Sequence, residues 1–124
     1  MINFGHQNLR VSNLDTSIRF YEEQLNLTLR KRILDEDGPM AWLGYGDGEF
    51  FLELTQSAVV RGNNHIAFVT DERDAFFDRH HAAGLIDFEI PELGIYFMHD
   101  PDGNSIEIMP LTALAALGGE AGAC

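Results

Sequence analysis

Four side chains in this sequence have the types and the spacing of a metal site. Two glutamates, Glu53 and Glu107, each stand between two large aliphatic residues, and a histidine precedes each of them in another strand-like segment. Glu53 follows His6 by 47 positions (53 − 6), and Glu107 follows His65 by 42 positions (107 − 65). Imidazole nitrogens and carboxylate oxygens together suit divalent transition metals. The chain therefore contains the same His…Glu unit twice, with two histidines and two glutamates as a candidate ligand set.

Side-chain alternation in strands explains the aliphatic residues on either side of each glutamate. Neighbouring side chains of a strand point to opposite faces of the sheet. If Leu52-Glu53-Leu54 and Ile106-Glu107-Ile108 are strands, the aliphatic pair of each faces a core and the glutamate faces the other way. The segment after His6 alternates in the same manner, which predicts a half-buried strand with His6 and Arg10 on its polar face.

The elements that must position these residues follow the order β-α-β-β-β, and they do so twice. In the first half, the patterns predict a strand at residues 3–11, then a helix at 15–26 that begins near Asp15. Three more strands are predicted at residues 28–34, 40–45 and 49–55. In the second half, the patterns predict a strand at residues 63–69, then a helix at 71–83 that is capped by Thr70. Three more strands are predicted at residues 88–90, 94–99 and 104–109. The fold class is thus α+β, with two βαβββ modules that form mixed or antiparallel sheets.

Length, charge and cysteine content narrow the class of protein further. The 124 residues fit one domain, which we place at residues 1–110 with modules at 1–56 and 63–110. The net charge of −12 disfavours nucleic acid or an anionic membrane as a partner, because no basic patch is present to bind phosphates. The lone cysteine, Cys124, forms no internal disulfide, and no signal-peptide or membrane-span pattern is present, so we expect a cytoplasmic protein.

The Ala- and Gly-rich tail at 111–124 is expected to be partly disordered after one or two helical turns.

Five short segments, in their order along the chain, are similar to those of one known family. The segments are His6…Leu9-Arg10-Val11, Ser17-Ile18-Arg19-Phe20-Tyr21, Leu52-Glu53-Leu54-Thr55, Asn64-His65-Ile66-Ala67 and Asp100-Pro101-Asp102-Gly103…Ile106-Glu107. They resemble glyoxalase I (lactoylglutathione lyase) and the vicinal oxygen chelate superfamily around it, over most of residues 1–110. The resemblance implies a single vicinal oxygen chelate domain in which paired βαβββ modules curl round a metal site.

The resemblance also implies that His6, Glu53, His65 and Glu107 are the four protein ligands of one divalent metal ion per site. Ni²⁺ or Zn²⁺ is favoured, and Mn²⁺, Co²⁺ or Fe²⁺ are alternatives. Four protein ligands leave an octahedral ion two positions for water or substrate, as in a catalytic site. Family sites often form between subunits, so we predict a homodimer in which His6 and Glu53 come from one chain and His65 and Glu107 from the other.

The implied activity is that of a metal-dependent lyase in methylglyoxal detoxification. A 2-oxoaldehyde such as methylglyoxal and a thiol form a hemithioacetal, which the family isomerises through an enediolate. By resemblance, Glu107 is the base that moves the carbon-bound proton, and Glu53 is its partner on the other face of the substrate.

The substrate-binding residues predicted by the resemblance are two arginines. Arg10 and Arg61 match arginines that contact glutathione in family members, and an arginine can bind a carboxylate through two hydrogen bonds. Ser57 and the stretch at 90–94 depart from glutathione-specific members. The thiol is therefore glutathione or another small-molecule thiol.

Other functions on this fold remain as alternatives. A thiol transferase that opens an epoxide antibiotic resembles the chain at His6, His65 and Glu107, but does not generally use a ligand at the Glu53 position. A ring-cleaving dioxygenase would need only those same three ligands and is usually a longer chain. A non-enzymatic binder of the bleomycin-resistance kind needs no metal at all.

The remaining aromatic and histidine residues have less specific interpretations. We expect His80 and His81 to be on the surface, because they are adjacent on a predicted helix and face different ways. His99, beside a turn, is expected to be structural or exposed. Trp42 is interpreted as either a wall of the pocket or part of the core packing.

Overall fold

The computed structural model describes residues 1, 6–35, 38–58 and 65–116. These residues form eight strands and three helices. The chain divides into two compact units, which we call unit 1 (Met1–Arg61) and unit 2 (Gly62–Cys124). Each unit has the predicted β-α-β-β-β order, and unit 2 adds a short helix. The α+β class with two βαβββ modules is therefore confirmed.

Unit 1 consists of one mixed sheet and one helix. Its elements are β1 (Gln7–Val11), α1 (Leu14–Leu25), β2 (Thr28–Asp35), β3 (Gly38–Gly44) and β4 (Phe50–Gln56). The strand order is β1-β4-β3-β2. β1 pairs with β4 in parallel, and the other two pairs are antiparallel. The first and the last strand of the unit are thus direct neighbours.

Helix α1 forms where the apolar residues follow a helical spacing. Ile18, Tyr21 and Leu25 are buried, as this spacing predicts. The helix begins at Leu14, one residue before the predicted start at Asp15. Asn13 has an extended backbone and its Oδ1 accepts a hydrogen bond from the backbone N–H of Thr16, at 3.0 Å. Asn13 is therefore the N-cap, because it is placed three residues before a free backbone donor of the first turn.

Unit 2 repeats this topology. Its elements are β5 (His65–Thr70), α2 (Arg73–Ala82), β6 (Ile86–Ile90), β7 (Ile95–His99), β8 (Ser105–Pro110) and α3 (Leu111–Ala116). The strand order is β5-β8-β7-β6, with β5 and β8 parallel. The end of the predicted tail, after residue 116, lies outside the described residues.

Helix α2 differs from the prediction in its cap and in its buried face. Thr70 does not cap the helix: its Oγ1 accepts a hydrogen bond from the backbone N–H of Glu72, and the helix begins one residue later. Ala75, predicted on the apolar side, is exposed. His80 is the buried residue of α2, so the prediction that it lies on the surface is wrong.

Burial along β4 and β8 has the predicted alternation. Leu52 and Leu54 are fully buried, and the Glu53 side chain between them keeps 15% of its surface exposed. Ile106 and Ile108 are buried in the same way on either side of Glu107, whose side chain is also 15% exposed. Each glutamate thus faces away from the core of its unit. None of the helices in the described ranges is long and apolar enough to cross a membrane.

Candidate functional site

In unit 1, the predicted ligands His6 and Glu53 are adjacent in space. Glu53 is in the middle of β4, and His6 lies one residue before β1, the parallel neighbour of β4. The distance between His6 Nε2 and Glu53 Oε2 is 3.5 Å. The imidazole is 42% exposed, so the pair is open to solvent on one side of the sheet.

In unit 2, His65 and Glu107 form the equivalent pair. His65 begins β5, and Glu107 lies on its parallel neighbour β8. The distance between His65 Nε2 and Glu107 Oε1 is 3.3 Å, and the imidazole is 56% exposed. Each unit therefore presents one imidazole nitrogen and one carboxylate oxygen side by side.

The two separations fit pairs of ligands that share a metal ion. A histidine nitrogen and a carboxylate oxygen about 2.1 Å from one ion are about 3.0 Å apart in octahedral geometry and about 3.4 Å apart in tetrahedral geometry. The observed separations are 3.5 and 3.3 Å, close to these values. Within the described residues of either unit, no group of three or more His, Cys, Asp or Glu side chains is arranged to hold a metal. Binding of one ion by all four side chains stays a prediction.

Two further side chains in unit 1 bind the Glu53 carboxylate. Asn8 Nδ2 donates a hydrogen bond to Oε1 at 2.9 Å, and Trp42 Nε1 donates one to Oε2 at 2.8 Å. Asn8 and Trp42 are the residues directly opposite Glu53 on β1 and β3. A hydrogen bond to a charged group contributes about 1.5–3 kcal/mol. Both oxygens of Glu53 are therefore fixed from neighbouring strands.

The Glu107 carboxylate has different neighbours. The residues opposite it on β5 and β7 are Ala67 and Phe97, and neither side chain has a hydrogen-bond donor. In the described part of the chain, Glu107 contacts His65 and accepts no hydrogen bond from another side chain. The two glutamates thus share a position in the sheet but not the polar contacts around it.

Aromatic rings lie beside both pairs. The Phe50 ring is 5.6 Å from the His6 ring. In unit 2, the Phe97 ring is 5.9 Å from the His65 ring and stacks on Phe88 at 4.5 Å. Phe50 and Phe88 are exposed to solvent. Each pair therefore has an apolar surface next to it that could contact a small substrate.

Of the two predicted substrate arginines, the structure describes one. Arg10 is exposed on β1, two residues after Asn8 and on the same face of the sheet. Arg61 lies outside the described residues. The substrate-binding roles of Arg10 and Arg61 stay predictions.

His80 has a role in packing. It is fully buried, and its Nδ1 is 2.8 Å from the hydroxyl of Tyr96. Burial raises the pKa of Tyr96 well above its ordinary value, and the positive charges of Arg73 and Arg79 partly oppose that rise. A neutral tyrosine hydroxyl therefore satisfies the buried imidazole. His99, by contrast, forms a half-exposed pair with Asp87 at 2.8 Å, as expected for a structural or surface histidine.

Unit 2 also has a shallow groove, and neither His65 nor Glu107 lines it. The lining comprises Asp71, Glu72, Arg73, Asp74, Ala75, Glu89, Pro91, Glu92, Leu93, Gly94, Pro110 and Thr112. The Arg73 side chain is already bound there: its Nε donates to the carbonyl of Gly94 at 3.0 Å, and its guanidinium lies over the Phe77 ring. None of the predicted metal ligands lines this groove.

The sequence interpretation missed the hydrogen bonds of Asn8 and Trp42. Asn8 has the same parity as His6 along the first strand, which placed it on the polar face without identifying its acceptor. The contact with Trp42 depends on the register between β3 and β4, which contains a bulge next to Gly44. Local alternation does not reveal this register.

Comparison with known proteins agrees with the fold. Residues 3–108 match the model of the Glyoxalase/Bleomycin resistance protein/Dioxygenase superfamily. The chain belongs to this superfamily.

Individual relatives cover most of the chain. A probable lactoylglutathione lyase of Vibrio cholerae is 35% identical over 120 residues, which covers 84% of this chain and 87% of the relative. A solved structure of the trypanothione-dependent glyoxalase I of Leishmania major is 27% identical, with a TM-score of 0.78 and coverage of 95% of this chain and 93% of the other. The fosfomycin resistance protein FosX of Mesorhizobium loti has the same fold at 21% identity, with a TM-score of 0.69 and coverage of 88% and 92%.

Proposed function

We propose that this protein is a metal-dependent lyase of the glyoxalase I type, which isomerises the hemithioacetal of a 2-oxoaldehyde such as methylglyoxal. The main support is the His–Glu pair that recurs at the same sheet position in both units. The distance from the histidine Nε2 to the nearest glutamate oxygen is 3.5 Å in unit 1 and 3.3 Å in unit 2. A relative with three ligands, or a binder without a metal, has no use for a carboxylate at Glu53. The likeness to lactoylglutathione lyases supports the same conclusion.

His6, Glu53, His65 and Glu107 would hold the divalent ion. When bound, the ion supplies Lewis-acid stabilisation of negative charge on the substrate oxygens. The chain's own task is the proton shift. Glu107 accepts the proton from one carbon and returns it to the neighbouring carbon, which a positioned carboxylate can do with a gain of about 10²–10⁴ in rate.

The proposed ligand set draws on both units, and we propose that two chains share each site in a homodimer. His6 and Glu53 of one chain would combine with His65 and Glu107 of the other, giving two sites per dimer. Each pair would bring its own aromatic neighbour, Phe50 beside His6 and Phe97 beside His65, and these rings would limit the access of water to the proton transfer.

The thiol is the least constrained part of the proposal. The Vibrio cholerae relative is described as a probable lactoylglutathione lyase, which suggests glutathione, and the Leishmania major enzyme is described as trypanothione-dependent. Arg10 would suit a carboxylate of the thiol, whereas the net charge of −12 disfavours an anionic one. Both thiols therefore belong in the assay.

The direct test combines metal analysis with thioester formation. The purified protein is loaded separately with Ni²⁺, Zn²⁺, Mn²⁺, Co²⁺ or Fe²⁺ and supplied with methylglyoxal and either thiol. We expect about one ion per chain and thioester formation that a chelator abolishes and added metal restores. His99→Gln is a matched control, because it removes a histidine–carboxylate pair outside the proposed site.

Three results would contradict the proposal. Protein that binds no metal would fit a binder of the bleomycin-resistance kind. Metal-loaded protein that forms no thioester with either thiol, but adds a thiol to fosfomycin, would be an epoxide-opening transferase. Uptake of oxygen with a catechol-type substrate would indicate a dioxygenase.

A further inference from the structure

The two candidate ligands of the carboxylate type differ in how firmly they are held. We propose that Asn8 and Trp42 are positioning residues that fix Glu53 as a permanent ligand, so that Glu107 alone is free to leave the metal and move protons. This inference rests on the proposed function, because it assigns different tasks to the two carboxylates of that site.

The hydrogen bonds of Glu53 restrain it in two directions. The donors are on strands that flank β4 on opposite sides, and each binds a different oxygen, at 2.9 Å for Asn8 and 2.8 Å for Trp42. A turn of the carboxylate about its own axis, or its withdrawal from the site, breaks at least one of these hydrogen bonds. The orientation of Glu53 is therefore set by the sheet before any ligand arrives.

The geometry leaves room for a metal bond on the correct oxygen. Oε2 of Glu53 faces His6 at 3.5 Å and also accepts the hydrogen bond from Trp42. A carboxylate oxygen has two lone pairs, so one can accept from the indole and the other can bind a metal. Trp42 thus holds the same oxygen that would be a ligand beside His6.

The two donors are themselves oriented by neighbours. Asn8 Nδ2 makes a second hydrogen bond, to the Thr55 hydroxyl at 2.9 Å. Trp42 is half-buried, and its ring is 5.7 Å from that of Phe50. Support for ligand orientation from hydrogen-bonded neighbours is a general property of metal sites, and its loss typically costs metal affinity.

The same positions in unit 2 offer Glu107 no such restraint. Ala67 stands where Asn8 does, and Phe97 stands where Trp42 does. The Glu107 carboxylate can therefore turn without breaking a cross-strand hydrogen bond. A base that alternates between metal and substrate carbon needs this freedom.

The first experiment detects the hydrogen bond from Trp42 to Glu53 in protein without metal or substrate. Trp42 is the only tryptophan in the chain, so the protein gives a single indole N–H resonance in a ¹⁵N–¹H spectrum. A hydrogen bond to a carboxylate shifts this proton downfield. We expect an upfield shift in Glu53→Leu, and an unchanged resonance would contradict the contact on which the proposal depends.

The second experiment measures metal affinity in variants of the two donors. Trp42→Phe and Asn8→Ala are each expected to raise the Kd for Co²⁺ or Zn²⁺ about 10–100-fold. Thr55→Val is the graded comparison, because it removes the hydrogen bond that orients Asn8 and leaves both hydrogen bonds of Glu53 in place; its Kd should rise less than that of Asn8→Ala. Wild-type affinity in both donor variants would overturn the proposal.

The two experiments separate this inference from the proposed function. Asn8 is exposed, so Asn8→Ala should fold normally and decides the question if Trp42→Phe does not fold. A chain that binds metal through a restrained Glu53 but forms no thioester would contradict the lyase and leave the inference intact. A wild-type chain that binds no metal overturns both, even if the indole resonance shows the hydrogen bond.

Discussion

Unit 1 and unit 2 build the same histidine–glutamate pair from the same arrangement of strands. In each, the glutamate is on the last strand, and the histidine either begins the first strand, its parallel neighbour, as His65 does, or directly precedes it, as His6 does. They differ in the strands on either side, where polar donors face Glu53 and apolar side chains face Glu107. The same backbone pairing therefore places each glutamate, while the side chains opposite it set the polar contacts of its carboxylate.

The largest expected difference between the units is in catalysis. Glu107→Gln should lower kcat by about 10²–10⁴ and leave metal bound, because an amide does not accept the substrate proton. Glu53→Gln should chiefly weaken metal binding, since it removes a charged ligand held in place. The measurements are kcat at saturating metal and the metal Kd of each variant. Equal losses of kcat in both metal-saturated variants would show that the two carboxylates are equivalent.

The next test asks whether the two pairs that form one site come from different chains. At a metal concentration that loads wild-type sites but not Glu53→Gln sites, Glu53→Gln and Glu107→Gln chains are each nearly inactive alone, but a mixed dimer with shared sites contains one intact site. An equimolar mixture that re-associates at random should regain about a quarter of wild-type activity. Thioester formation before and after mixing is the readout, with sedimentation to verify dimers. No recovery among verified mixed dimers would place each site within one chain.

The third test introduces into unit 2 the hydrogen-bond donors that unit 1 has opposite Glu53. Ala67→Asn combined with Phe97→Trp puts hydrogen-bond donors opposite Glu107. If they restrain it, kcat should fall about tenfold or more without weaker metal binding, because each charged hydrogen bond opposes release. Ala67→Leu with Phe97 unchanged is the control, because it adds side-chain volume opposite Glu107 without a donor. A kcat equal in the double variant and in this control would mean that freedom of Glu107 does not limit the reaction.

The smallest effect concerns the helices rather than the site. Asn13 caps α1 through its side chain, whereas Glu72 at the start of α2 makes no such hydrogen bond. Asn13→Ala should lower the free energy of unfolding by about 0.5–2 kcal/mol. Glu72→Ala should lower it by about 0.3–1 kcal/mol, through the helix dipole alone. Urea unfolding monitored by circular dichroism compares the two.

Local patterns predicted the backbone and the direction of each glutamate. Alternation around Glu53 and Glu107 depends on neighbouring residues only, and the burial of Leu52 and Ile106 confirms it. The burial of His80 was not predictable in this way. α2 lacks a clear apolar stripe, and the imidazole is buried because the Tyr96 hydroxyl of another element lies 2.8 Å away.

The contacts of Glu53 show the same limit within the candidate site. Trp42 is 11 positions away along the chain, and it becomes a neighbour only through the antiparallel register of β3 and β4. That register is set by pairing along the whole strand and by a bulge, neither of which a short motif records. The direction of the Glu53 side chain could thus be predicted from the sequence, and the side chains that bind its carboxylate could not.

The pairing of the first strand with the last in each unit has an evolutionary consequence. Every described strand finds its partners inside its own unit, so the hydrogen-bond ladder of one unit is complete without the other. A gene segment that encodes one unit could therefore be duplicated, or exchanged between chains, without leaving a sheet edge that had lost its partner. The two units of this chain differ at the positions opposite the glutamates, where amide and indole groups face Glu53 and methyl and phenyl groups face Glu107.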